Sequence, residues 1–109
     1  MEYIDIEKNL VPYRFDVDLD DELFTFEVNY NPERDFFTVD LEKDGEVLVV
    51  GEKIVYGTPL FADVWDSRFP AQTILPWDES NLSTAVTWET LGVTCFLFTP
   101  TEEDLDDDD

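Results

Sequence analysis

The sequence predicts an all-β fold: a small single-domain barrel or barrel-like sandwich of about seven mostly antiparallel strands, with a long aromatic loop. Three observations support this prediction. Of the 109 residues, 41 are Phe, Tyr, Trp, Val, Ile or Thr, which suit a pleated surface, and only three are alanine. Apolar and polar residues alternate along several segments, and helical periodicity never exceeds a single turn. A closed or nearly closed meander would limit the number of exposed strand edges.

The first half of the chain predicts consecutive antiparallel strands. Apolar residues alternate with polar ones over residues 11–19, 24–30 and 37–41. Turn-forming residues separate these strands, because Asp, Asn, Pro and Gly favour the backbone angles of tight turns. The predicted turns are Asp20-Asp21, Asn31-Pro32-Glu33-Arg34-Asp35 and Lys43-Asp44-Gly45.

Later segments follow a less regular pattern. The apolar run 47–50 predicts a strand covered on both faces, and Gly51 and Gly57 predict a bulge or sharp corner in the stretch 54–56 between them. Residues 58–83 contain three prolines and predict a long irregular segment. Two further strands are expected near residues 85–89 and 93–99.

The predicted domain boundary follows from charge. Residues 102–109 contain seven acids and no base, so we expect an acidic, disordered tail after a β domain that spans residues 1–101. The whole chain has a net charge of −22, and the part before the tail still carries −15. Such a surface disfavours direct binding to nucleic acid or to anionic membranes, because both need basic patches.

Enzymatic chemistry is disfavoured by composition. The chain has no histidine, which removes the common catalytic triads and zinc sites. Its single cysteine, Cys95, lies among apolar residues and is expected in the core. No acidic cluster has the spacing of a calcium loop. We therefore predict no catalytic residue, no cofactor and no metal site.

The irregular segment 58–83 is the candidate for function. It contains the aromatic residues Phe61, Trp65, Phe69 and Trp77. These side chains either plug one end of the fold or anchor a partner protein, and the two interpretations are compatible. Arg68 is one of six basic residues, and either an interface contact or an ion pair with Asp66 would explain it. The predicted partner-binding residues are Trp65, Arg68, Phe69 and Trp77.

The pattern of strands, turns and glycines also resembles a known family. The resemblance runs from about residue 11 to residue 100 and is carried by the stretches 29–31, 35–41, 44–45 and 48–61, the last reading Leu-Val-Val-Gly-Glu-Lys-Ile-Val-Tyr-Gly-Thr-Pro-Leu-Phe. These stretches are similar to the baseplate plug family of bacteriophage tails, of the cyanophage type, with relatives in prophages and in tail-like bacteriocin particles. The resemblance implies a virion structural protein, assembled in the host cytoplasm and located in the tail baseplate.

The resemblance further implies a plug or adaptor near the hub and the tail-tube end, present in several copies of a symmetric assembly. Its partners would be hub, tube-end or spike proteins. The alternative is an acidic DNA mimic that inhibits a nucleic-acid-binding enzyme, of the anti-restriction or anti-CRISPR type, since −22 on 109 residues suits such a role. A carbohydrate-binding module would need exposed coplanar aromatic rings, for which Trp65 and Trp77 remain available.

Overall fold

A computed structural model describes residues 2–62 and 66–100, and in this part of the chain the fold is an antiparallel β sandwich without α-helices. The strands are β1 (Glu2–Ile4), β2 (Tyr13–Leu19), β3 (Glu22–Asn31), β4 (Phe36–Lys43), β5 (Glu46–Lys53), β6 (Leu75–Trp77) and β7 (Phe96–Thr99), and a 3-10 turn lies at Lys8–Leu10. One sheet has four strands in the order β2-β3-β4-β5, and the other has three in the order β1-β7-β6. The all-β prediction is confirmed, and of its two forms the open sandwich is observed rather than a closed barrel. The predicted tail, residues 102–109, lies outside the described residues.

Three tight turns build the four-stranded sheet as the sequence predicted. Asp20 and Asp21 both have positive φ, 56° and 66°, which gives the hairpin a turn matched to the twist of its strands. Asp44 and Gly45 do the same between β4 and β5. In the turn between β3 and β4, the Asn31 side chain accepts hydrogen bonds from two backbone N–H groups. The register of the sheet therefore follows from local turn chemistry.

The core lies between the two sheets. Alternate residues of β3 and β4 point inward and are fully buried, and they pack against buried side chains from β7 and from the later loops. Cys95 is buried among them, as predicted. The inward residues are Phe24, Phe26 and Val28 on β3 and Phe37, Val39 and Leu41 on β4.

Strand β5 differs from its prediction. Val47 and Val50 are 54% and 70% exposed, so the apolar run is not covered on both faces. The reason is that β5 is an edge strand and its pairing with β4 is bulged. The bulge or sharp corner expected between Gly51 and Gly57 lies at the start of that stretch: the β4–β5 register shifts beside Gly51, which has a φ of 77° and donates its N–H to Asp40 Oδ1 at 2.8 Å.

The late strands were only partly predicted. Residues 85–89 form no strand, because Thr90 Oγ1 accepts from the Thr87 N–H at 2.8 Å and draws this segment into a turn. The Thr90 carbonyl then accepts from residues 93, 94 and 95, so β7 begins at Phe96 rather than at Val93. The short strands β1 and β6 were not predicted, since three residues are too few to show a period of two.

Candidate functional site

The candidate site is built on the loop that joins β5 to β6. We call residues 58–74 the aromatic loop. Two backbone hydrogen bonds close its base, from the Gly57 N–H to the Pro76 carbonyl at 2.8 Å and from the Leu60 N–H to the Ile74 carbonyl at 2.9 Å. The chain therefore leaves and re-enters the sandwich at one place, and Trp77 directly follows the returning end.

Phe61 and Phe69 fix the aromatic loop to the core. The Phe61 ring packs edge-on against Phe26 of β3, with ring centroids 6.4 Å apart, and Phe69 packs edge-on against Phe61 at 5.7 Å. The Phe61 N–H also donates to Glu52 Oε2 at 2.9 Å. Of the two interpretations left open by the sequence, an internal packing role fits Phe61, which is buried, and partly fits Phe69, which is half-buried.

Arg68 ties the aromatic loop to the edge strand β5. Its Nε and NH2 groups donate to the Asp66 carboxylate, and its NH1 group donates to Glu46 Oε2 at 2.9 Å. The hydrogen bonds from Arg68 lower the pKa of Asp66 to about 2. The Arg68 side chain as a whole nevertheless remains about half exposed. The local ion pair considered from the sequence is thus present, and a second ion pair joins Arg68 to Glu46 on β5.

Trp77 forms a rigid aromatic surface at the loop base. Its ring stacks on Tyr56 at a centroid distance of 4.9 Å and an interplanar angle of 20°. Gly57 lies next to this ring, since a Cβ added to Gly57 would lie 3.7 Å from the indole. The Trp77 side chain still leaves 36% of its surface exposed.

The structure therefore divides the predicted contact residues between two places. Arg68 and Phe69 lie within the aromatic loop, whereas Trp77 lies at its base against Tyr56. Trp65 falls outside the described residues. Tyr56 is not among the predicted contact residues, because nothing in the local sequence around Gly57 indicates that this tyrosine stacks on a tryptophan 21 positions later.

A second aromatic surface was missed altogether. Trp88 contacts Tyr30 and Phe37, with centroid distances of 5.0 and 6.1 Å. Asp35 joins this group, because its Oδ1 accepts from the Tyr30 hydroxyl at 2.7 Å and from the backbone N–H of Trp88 at 2.9 Å. The hydrogen bond with Tyr30 lowers the pKa of Asp35 and raises that of Tyr30.

This second surface borders an open depression of about 520 Å³, and the Lys8 ammonium lies 5.3 Å from the Trp88 ring centroid. Trp88 had been assigned to a predicted strand. No local pattern connects it with residues more than 50 positions earlier. The depression is lined by Val11, Pro12, Asn29, Tyr30, Pro32 and Trp88.

The outward face of the four-stranded sheet is predominantly acidic. Arg14 lies among the acids and forms a bidentate hydrogen-bonded ion pair with Glu42, and its NH1 is 3.5 Å from Glu27. The Arg14 hydrogen bond lowers the pKa of Glu42. Within residues 2–62 and 66–100, no three acidic or cysteine side chains are grouped to hold a metal ion, and no helix is long and apolar enough to span a membrane.

The protein is thus a small antiparallel β sandwich with two partly exposed tryptophans, Trp77 and Trp88, that pack against other aromatic side chains. A family model described as cyanophage baseplate Pam3 plug gp18 matches residues 1–102 of the chain. The chain therefore belongs to this baseplate plug family, which confirms the resemblance found in the sequence. No curated protein matches the chain.

Membership of the family indicates where the protein is located and what kind of role it has. It is a phage tail protein of the baseplate, with a location in the virion tail and a structural role. The family also implies contacts with other baseplate or tail proteins, and it favours a protein without enzymatic activity.

Proposed function

We propose that the protein is a plug or adaptor located near the baseplate hub and the end of the tail tube. It would act through protein–protein contacts with hub, tube-end or spike proteins, in several copies arranged symmetrically. The observation that carries this proposal is Trp77, a large aromatic side chain that is partly exposed and yet stacked on Tyr56.

Rigid support is what makes Trp77 suitable as an anchor. An aromatic side chain that is already ordered loses little conformational freedom when a partner covers it. Tryptophan and arginine are also the residue types most enriched among those that dominate binding energy at protein interfaces. The Arg68 side chain is about half exposed, and Phe69 packs edge-on against Phe61 within the aromatic loop. Trp65 completes the proposed set from the sequence alone.

A pull-down with matched variants tests this proposal. We expect tagged wild-type protein to recover hub, tube-end or spike proteins from lysate of the infected or induced host. Trp77→Ala and Arg68→Ala should each reduce this recovery by about tenfold, as expected for loss of an interface residue worth more than 1 kcal/mol. Mass spectrometry identifies and quantifies the captured chains.

Leu82→Ala is the control, because Leu82 is also exposed and apolar but lies outside the proposed set. Equal recovery by wild type and both variants would contradict the assignment of these residues. Capture of a basic nuclease or polymerase alone would contradict the baseplate role and support the DNA-mimic alternative.

The charge of the chain leads to a separate prediction about DNA. We expect the purified protein not to bind duplex DNA even at about 50 mM salt, because its net charge of −22 repels phosphates. Such repulsion would suit a baseplate protein beside the path along which the phage ejects its DNA. Fluorescence anisotropy of a labelled duplex measures this directly. Binding that weakens as salt is added would show an undetected basic contact surface and overturn the prediction.

A further inference from the structure

Strands β1 and β2 leave two sheet edges beside one groove. They follow one another in the chain but belong to different sheets, and each lies at the edge of its own sheet. A groove of about 300 Å³ runs between them, lined by β1, Asp5, residues 15–19 of β2 and Thr99 of β7. The sandwich is thus open along this side.

The backbone on the outer side of β2 lacks a partner strand. In the described residues, β2 pairs with β3 and β1 pairs with β7, and no other backbone hydrogen bond reaches either strand. An edge of this kind presents a row of N–H and C=O groups to which another strand can add. The seven residues of β2 are long enough for such pairing.

The side chains of β2 also lack cover. Phe15 and Val17 face the core, but they are only half-buried. Their direct partners on β3, Phe26 and Phe24, are fully buried. The apolar layer is therefore incomplete on the β2 side, and an added strand would complete it with apolar side chains on its inner face.

The charge around the groove selects the occupant. The lining includes four acids and no lysine or arginine. Glu2 and Asp5 lie on the β1 side, and Asp16 and Asp18 lie on the exposed face of β2. A second copy of the chain pairing through β2 would bring like charges together, and residues 102–109 would add seven more acids. Neither a second copy of the chain nor the segment 102–109 is therefore a suitable occupant of this groove.

We propose that this groove accepts an extended, basic segment of a neighbouring baseplate protein, which adds to the four-stranded sheet beside β2. Because side chains alternate across a strand, the segment carries lysine or arginine next to Asp16 and Asp18, and apolar residues next to Phe15 and Val17. The inference rests on the proposed structural role in so far as the partner is another tail protein. It adds a second contact surface, separate from the aromatic loop.

The test uses a capped hexapeptide of alternating lysine and valine, with the full-length protein. We expect a Kd below about 1 mM and slower hydrogen exchange, by about tenfold, at β2 amides that face the groove. The control peptide has the same side chains but N-methylated backbone amides, and it should bind at least about tenfold more weakly because it cannot pair with a strand edge. NMR titration and exchange measure both quantities.

Charge-reversal variants locate the site. Asp16→Lys/Asp18→Lys should weaken binding by about tenfold at low salt. The matched control Glu79→Lys/Glu89→Lys carries the same charge change on exposed residues outside the groove, and it should change affinity by less than about threefold. Because Asp16 accepts a hydrogen bond from Thr25 at 2.8 Å, Asp18→Lys alone serves if the double variant does not fold.

Three results would overturn the inference: no binding at about 1 mM peptide, equal binding of the N-methylated peptide, or protection outside β2. A failed peptide experiment together with recovery of hub or tube proteins in the pull-down would remove this groove and leave the proposed function intact. Peptide binding at β2 without recovery of any tail protein would support the groove as a strand-binding site and contradict the proposed function.

Discussion

Asp78→Asn is expected to lower the Tm of the protein by about 10 °C or more. Asp78 is buried and follows β6, where its carboxylate organises the turn 78–83. Oδ1 accepts from the Ser80 N–H and hydroxyl, and Oδ2 accepts from the Leu82 N–H at 3.1 Å and from the Ser83 N–H and hydroxyl at 2.7 and 2.6 Å. Asparagine has the same shape, but its NH2 group would face N–H donors and leave them unsatisfied.

Thermal unfolding followed by circular dichroism measures this effect. Glu79→Gln is the control, because it makes the same chemical change on the neighbouring, exposed acid and should leave Tm nearly unchanged. If Asp78→Asn melted within about 2 °C of wild type, the carboxylate would not be what holds this turn.

The stability that the Asp78 carboxylate contributes, measured as the Tm difference between wild type and Asp78→Asn, depends on pH. Hydrogen bonds from the Ser80 and Ser83 side chains hold the pKa of Asp78 well below its usual value in the folded protein. The unfolded chain therefore takes up a proton first as pH falls, so this contribution to stability is complete above about pH 4 and is lost below it. The Tm difference between wild type and Asp78→Asn should accordingly narrow as the pH is lowered from about 5 towards 2.

Phe26→Ala is expected to reduce the free energy of unfolding by about 3–5 kcal/mol, the range for removing a fully buried phenylalanine. Phe26 has no exposed surface, and its ring contacts Phe15 on β2 and Phe61 in the aromatic loop, at centroid distances of 5.8 and 6.4 Å. Its loss would open a cavity between the sheet and the loop. Urea unfolding with an unchanged m-value measures the difference.

Leu23→Ala is the matched control on the same strand. Leu23 is 59% exposed, so its truncation should change stability by no more than about 0.5 kcal/mol. A loss below about 1 kcal/mol for Phe26→Ala would mean that the core collapses around the missing ring. Because Phe26 supports Phe61 and Phe61 supports Phe69, Phe26→Ala should also loosen the aromatic loop and weaken capture of tail proteins.

The hairpins of the four-stranded sheet could be predicted because their causes are local. The alternation in β2, β3 and β4 indicates which face is buried, and Asp20-Asp21 and Asp44-Gly45 supply the positive φ angles of the turns. The family could also be identified at this level, because the spacing of strands, turns and glycines is itself a sequence property.

The candidate site could be predicted only in part. The aromatic composition of residues 58–83 indicated the region, and the family membership is consistent with a contact role. Which residues of that region pack into the core and which remain exposed could not be predicted. Phe61 became part of the core, Arg68 bound Glu46 on β5, and Trp77 stacked on Tyr56. Each outcome depends on a contact with a residue that is at least nine positions away in the chain.

The sequence by itself determined the fold class, the hairpins and the family, because each depends on residues that are neighbours in the chain. Only the tertiary structure decided which strands lie at the sheet edges. It paired Glu2 of β1 with Thr99 of β7, exposed Val50 on β5 and left β2 open beside the acidic groove. The exposure of a strand edge or side chain depends on which distant segments pack together. A local pattern of apolar and polar residues does not determine that packing.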